Sequence, residues 1–218
     1  MTTTPYERFS REPAFRALFE AGHQRRWRKH QVVLGEGELP RSLYLLLSGS
    51  IAVRLSNWHG REVLLAYMHP GDFFGEMGLF PGVRGRSAEV RTRTECQVLE
   101  LPYAHFLELA ARHPQLWLEL GGQIAARLRI ANRRLAEMPL LPARERLWSV
   151  LVELAERAVQ DAAAPVRLKV TRTDLGRLAG CSREAAGLAL HEFAAEGRVK
   201  LRGQQILMPV PAEVRRSR

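Results

Sequence analysis

The chain has 218 residues, room for one large domain or two modest ones, with 46% hydrophobic and 26% charged residues, an ordinary globular mixture. No run approaches the roughly 20 apolar residues of a membrane span, and the charged residues of positions 1–15 do not read as a secretory signal. Two distant cysteines, Cys96 and Cys181, exclude a disulfide framework, a paired-cysteine redox motif and a four-cysteine cluster on one chain, and the expected compartment is the cytosol. The net charge of +10 and pI near 10.7 favour a polyanionic partner, of which nucleic acid is the usual one. From Val166 onward the excess sharpens to eleven Lys/Arg against five Asp/Glu.

In chain order, residues 5–22 set Phe9, Phe15, Leu18 and Phe19 among charges, which predicts a short amphipathic helix ending near Gly22. Residues 31–101 read as short strands. Ile51, Val53 and Leu55 alternate with Ala52 and Arg54; Val63, Leu65 and Tyr67 alternate; Ala88 and Val90 alternate with Glu89 and Arg91. Breaks fall at residues 35–37, 48–50, 57–60 and 70–72. Many short strands with frequent turns predict a small antiparallel barrel or roll.

Between Pro114 and Pro139 there is no proline. Trp117, Gly121, Ile124, Leu128, Ala131, Leu135 and Met138 step by four and three, the spacing of a two-helix seam, with Arg127, Arg129, Arg133 and Arg134 as a basic outer face. The reading is a homodimer joined through this helix, with Pro139 and Pro142 marking a hinge; the plainer alternative packs the helix on its own domain.

Past the strand-like residues 166–170, Thr171 caps a helix and Asp174 stands where a capping-box acid belongs. Leu175, Leu178 and Ala179 form its buried face, and Gly180 makes the turn with the small Cys181 beneath it. Ser182 caps a second helix with Ala186, Leu190 and Phe193 inward and Arg183, Glu184, Gly187, Leu188 and His191 outward. Two short helices joined by a glycine turn, the second polar at its start, have helix-turn-helix geometry. Residues 199–201 and 205–208, flanking Arg202-Gly203-Gln204, read as a hairpin wing. Arg183 can donate twice to guanine and Glu184 can accept from cytosine, while Arg172, Lys200 and Arg202 suit phosphates. A generic helical hairpin with solvated charges is the bland alternative.

Three stretches carry a resemblance: Gly71-Asp72-Phe73-Phe74-Gly75-Glu76-Met77-Gly78-Leu79-Phe80, then Arg86-Ser87-Ala88, and Gly180-Cys181-Ser182-Arg183-Glu184. With their order and spacing the chain resembles, over nearly its whole length, the cyclic-AMP receptor protein (Crp/Fnr) family of bacterial transcription factors. The resemblance implies an α+β chain: a double-stranded β-roll sensor of the cyclic-nucleotide-binding type over 1–113, a dimerisation helix over 114–139, and a winged helix-turn-helix over 140–218. It implies an effector held by Gly75, Glu76, Met77, Arg86 and Ser87. It also implies a palindromic operator in double-stranded DNA, read through Arg172, Ser182, Arg183, Glu184, Gly187, Leu188, Lys200 and Arg202, RNA polymerase as a partner, and an activator's role without catalysis or metal. The residue chemistry agrees: Arg86 is a fork for phosphate oxygens, Ser87 adds a hydroxyl, amides at 75–77 opening a helix would face an anion, and Glu76 could accept from a ribose hydroxyl. The competing arrangement pairs Glu76 with Arg86 in an empty site.

The departures from the family pattern matter. Ala131-Asn132 stand where relatives that bind cyclic AMP carry Thr-Ser against the adenine, which weakens the expectation of cyclic AMP and sets cyclic GMP, cyclic di-GMP or another anion beside it as the effector. Asn132 can hydrogen-bond a base in either direction, whereas Ala131 cannot. Leu188 stands where the cyclic-AMP receptor has a base-reading arginine. A haem-bearing relative would need axial ligands in the roll, for which His59, His69 and Cys96 are candidates. Two competing functions are a DNA-binding regulator that has lost its effector, and an enzyme acting on a nucleotide. The second lacks a metal cluster or a Ser/His/Asp set.

Overall fold

A computed structural model of the chain describes residues 12–56, 62–158, 164–203 and 205–210. Contacts divide it into two compact units that meet in sequence between Arg129 and Ile130.

The first unit opens with helix α1 (Pro13–Ala21), whose first-turn proline needs no amide partner. Phe15 and Leu18 are buried from it; Phe9 lies outside the described residues. Eight strands follow: β1 (His23–Trp27), β2 (Val32–Leu34), β3 (Ser42–Ser48), β4 (Ile51–Ser56), β5 (Glu62–Met68), β6 (Phe73–Phe74), β7 (Glu89–Thr92) and β8 (Cys96–Pro102). They form two four-stranded antiparallel sheets, ordered β1-β8-β3-β6 and β2-β7-β4-β5. The two-residue period of a strand splits the first sheet between two cores. Leu99 and Leu101 face a cluster with Phe15, Phe106, Leu116 and Leu120. Cys96 and Val98, one register out, join Leu34, Ile51, Phe74 and Val90.

Two details depart from the sequence reading. The strand β1 carries no apolar alternation, because it is an exposed edge of His, Gln and Arg held by pairing with β8. In β5 the register slips between Val53 and Arg54, so that Ala66 and then Leu64 face successive residues of β4. This bulge leaves Val63 and Leu65 exposed and turns Leu64 and Tyr67 inward. The turn expected at 57–60 lies outside the described residues.

Helix α2 (Tyr103–Arg112) leads to the long helix α3 (Gln115–Leu140). Leu116 and Leu120 are buried and Ile124 packs on the same cluster. Helix α3 runs through Pro139 near its end, where the missing amide leaves the Leu135 carbonyl without its helical donor; the break comes at Leu141 and Pro142.

The second unit contains α4 (Ala143–Ala158), β9 (Val166–Lys169), α5 (Arg172–Ala179), α6 (Arg183–Ala195), β10 (Lys200–Arg202) and β11 (Gln205–Met208). Its sheet has the antiparallel order β10-β11-β9. Leu147, Leu151, Leu175, Ala186, Leu190, Phe193, Ile206 and Met208 build one core, each large side chain contributing about 1.5–3 kcal/mol of burial.

Candidate functional site

The first candidate site lies inside the roll. Gly75, at φ 74, turns the chain from β6 into a short 3-10 helix (Glu76–Leu79). The cassette and Arg86-Ser87 line one cavity of about 450 Å³, counting its open mouth, whose walls include Leu34, Val53, Met68 and Val90. The structure thus brings Gly75, Glu76, Met77, Arg86 and Ser87 together, with Met77 and Ser87 exposed.

Arg86 is 8% exposed and already bonded. Its Nη1 donates to the Gly75 carbonyl at 2.7 Å and the Tyr103 hydroxyl at 2.9 Å, and its Nη2 to the Ser42 carbonyl at 2.9 Å. Tyr44 and Tyr103 lie beside the guanidinium, 5.7 and 5.9 Å from ring centre to charge. A Cβ on Gly75 would come within 2.8 Å of Arg86 Nη1, and one on Gly78 within 2.5 Å of the Tyr103 hydroxyl, so both glycines make room for this cation and its clamp. Burial pushes the Tyr103 phenol up, and burial beside the Glu100 carboxylate pushes Tyr44 up to about 12; both hydroxyls therefore stay protonated at neutral pH.

The expected alternative of a Glu76–Arg86 pair is corrected. Glu76, 8% exposed, accepts from Arg127 of α3 at 3.1 Å. Arg127 also donates to the Phe73 carbonyl, and Gln123 accepts from the Phe73 amide at 2.8 Å and donates to the Gly71 carbonyl at 2.9 Å. Arg127 and Gln123 were not readable as site residues, because nothing in a helical period marks which polar side chain reaches another element. Of the arginines expected on the outer face of α3, Arg129 and Arg133 are exposed, whereas Arg127 and Arg134 are drawn out of solvent. Arg133 and Arg134 both reach the buried Glu153 of α4, at 3.1 and 2.8 Å. Asn132 is exposed on α3.

His59 lies outside the described residues, and Cys96 is fully buried with its thiol donating to the Ser50 and Thr94 carbonyls, each at 3.4 Å. Among the described residues no group of three His, Cys, Asp or Glu is placed to hold a metal, and no helix is long and apolar enough to cross a membrane.

The second candidate site is built by α5 and α6. Thr171 accepts from the Asp174 amide at 3.0 Å and Ser182 from the Ala185 amide at 3.1 Å, as the two caps require. Gly180 takes φ 64 at the end of α5. Gly176 was missed: a Cβ there would stand 2.7 Å from the Cys181 carbonyl oxygen and 3.1 Å from that of Ser182, so the tight approach of the two helices depends on it. Ser182, Arg183, Glu184 and Leu188 are exposed, as are Arg172, Lys200 and Arg202. Gly187, expected outward, is buried instead, because Arg172 lies over it, with Cδ 3.5 Å from where a Cβ would stand, on its way to His191 Nε2 at 3.3 Å. The Glu184 carboxyl is held below the usual range by hydrogen bonds from its own amide and Ser182, and stays an acceptor.

A roll enclosing a cavity with a buried cation, followed by a winged helix-turn-helix, defines the class of ligand-sensing transcription regulators. The comparisons give the family. Residues 24–113 match the cyclic nucleotide-binding domain and residues 145–216 the Crp-like helix-turn-helix domain. The chain is 33% identical to the cAMP-activated global transcriptional regulator Vfr of Pseudomonas aeruginosa, covering 85% of this chain and 89% of that protein. It is 30% identical to the cAMP-activated global transcriptional regulator CRP of Salmonella typhimurium, covering 90% and 94%. The solved structure of CLP, a c-di-GMP-responsive global regulator of Xanthomonas campestris, is 29% identical with a TM-score of 0.75, covering 90% of this chain and 98% of that one. The chain belongs to the Crp/Fnr family: it is a DNA-binding transcription regulator with a cyclic nucleotide-binding domain, and its relatives are regulators, not enzymes.

Proposed function

We propose that the protein is a cytoplasmic homodimeric regulator whose affinity for a palindromic operator is controlled by a cyclic nucleotide in the roll. The observation that carries this is Arg86, a buried cation in an apolar-walled cavity, held in place by three bonds within the chain. A desolvated guanidinium is a strong partner for a phosphate. Gly75, Glu76, Met77 and Ser87 complete the sugar-phosphate end, and Asn132 reads the base. Relatives responsive to cAMP and to c-di-GMP leave three effectors to compare: cyclic AMP, cyclic GMP and cyclic di-GMP.

The long helix supplies the dimer. Of the seven seam residues, Ile124 packs on the roll's apolar core and Trp117 meets its Phe106 edge-on, whereas Leu128 and Leu135 are 59% and 71% exposed in the single chain, which fits a second copy along that face. On DNA, Ser182, Arg183, Glu184, Gly187 and Leu188 lie at the recognition helix, Arg183 and Glu184 contacting base edges, while Arg172, Lys200 and Arg202 hold phosphates. RNA polymerase is the downstream partner, in an activator's role. Melting the purified protein with each cyclic nucleotide, then measuring operator affinity with and without the one that stabilises it, tests the whole reading. A stabilising nucleotide that leaves operator affinity unchanged would favour the effector-independent alternative.

A further inference from the structure

Arg86 and Glu76 are the charged residues that line the roll cavity. Glu76 is countered by Arg127, so the cavity presents one unbalanced positive charge. A guanidinium has five N–H donors, and Arg86 spends three of them on Gly75, Ser42 and Tyr103. Its Nε–H and one Nη2–H make no bond among the described residues. One charge and two donors suit a phosphodiester, with a single negative charge and two non-bridging oxygens. A phosphate monoester carries roughly −1.5 to −2 at pH 7 and three acceptor oxygens, one acceptor and nearly one charge more than the guanidinium can match, while the Ser87 hydroxyl at the cavity's exposed rim is open to both esters alike.

Resting on the effector reading above, we propose that Tyr103 is a specificity-determining positioning residue: by occupying one Arg86 donor and fixing the guanidinium, it makes the cavity select phosphodiesters over phosphate monoesters. The geometry around the hydroxyl is suited to this. It accepts from Arg86 at 2.9 Å and donates to the Gly75 carbonyl at 2.5 Å, closing a three-membered ring of contacts with the Arg86–Gly75 bond. It stands at the first residue of α2, so its position is set by a helix and not by a loop. Tyr44 lies beside the same guanidinium, but its hydroxyl is turned to Glu100 at 3.1 Å and takes no Arg86 donor. Of the two tyrosines only Tyr103 limits the donor count.

The test compares Tyr103→Phe with wild type by calorimetry on cyclic AMP, cyclic GMP and the matching 5′-monophosphates. The variant keeps the ring and frees a third N–H, so the cyclic esters bind more weakly while the monoesters hold or gain. The preference for cyclic ester over monoester narrows roughly 3- to 10-fold, the worth of one hydrogen bond. Gly78→Ala, whose new methyl would run into Pro40 Cβ and stand 2.5 Å from the Tyr103 hydroxyl, displaces both and shifts the preference in the same direction. Melting curves identify a variant that is merely unfolded, and either folded variant decides the matter. If both classes of ester weaken equally in the folded variants, Tyr103 is only structural and the proposal falls. If wild type binds neither class, the effector reading itself is wrong.

Discussion

The two arginines to which the proposed function assigns ligand and base recognition are held in opposite ways. Arg86 of the roll is buried, triply bonded and flanked by two tyrosines. Arg183 of the recognition helix is exposed and makes no hydrogen bond among the described residues. A small ligand must be recognised by a few contacts in a dry cavity, where holding the donor in place beforehand removes an ordering cost. DNA is read by a surface that uses many contacts, and there a free side chain can settle on a base edge after the phosphates have fixed the register.

The contrast is sharpest at Arg86 itself. Arg86→Leu leaves the Gly75 and Ser42 carbonyls without their donor and the cavity without its cation, and nucleotide binding is expected to fall by two orders of magnitude or more. Calorimetry reads this directly; tight binding that survives the change removes the phosphate role. Next in size is Gly176→Ala. Its new methyl group meets backbone oxygens that cannot swing aside, so the winged unit loses about 1–3 kcal/mol and operator binding weakens with it, as melting and gel-shift measurements would record.

At the DNA end single substitutions should cost less. Arg183→Ala costs ~1–3 kcal/mol at one base step and relaxes preference there. Arg202→Ala weakens all sequences alike and lowers the salt slope by about one. Equal losses on operator and random DNA for Arg183→Ala would show that it holds phosphate and reads no base. The smallest effect is alkaline. Tyr44 is raised to about 12, so its neutral form is favoured in the folded state. Its contribution is complete below the ordinary phenol value near 10 and is lost as pH rises toward 12. Wild type therefore loses stability over that window, and Tyr44→Phe flattens the loss.

The reader was far more legible in the sequence than the sensor's wiring. Caps and turns act over three or four residues, so Thr171, Asp174, Gly180 and Ser182 announced α5 and α6 by local chemistry alone. What escaped there was the contact between helices: Gly176, and the Arg172 side chain that covers Gly187. In the roll the cassette and Arg86-Ser87 were visible as motifs, but their partners were not. Tyr103, Ser42, Gln123 and Arg127 come from 17 to 54 residues away along the chain, and no period or spacing connects them. The strand β1 was hidden for a different reason: a polar edge strand lacks the alternation by which strands are recognised. The slip in β5 reversed which of two adjacent leucines is buried, a one-residue event that composition does not register.

The apolar side chains left uncovered along α3 have a practical consequence. In the proposed dimer a second copy covers Leu128 and Leu135, and the chain's folding is then coupled to its own abundance. Its melting temperature then rises with protein concentration, and Leu128→Glu, which places charge in that stripe, abolishes the rise and leaves monomers by light scattering. For a regulator, dilution becomes a signal in its own right: a cell holding few copies would have fewer assembled readers than its total count implies, whatever the level of nucleotide.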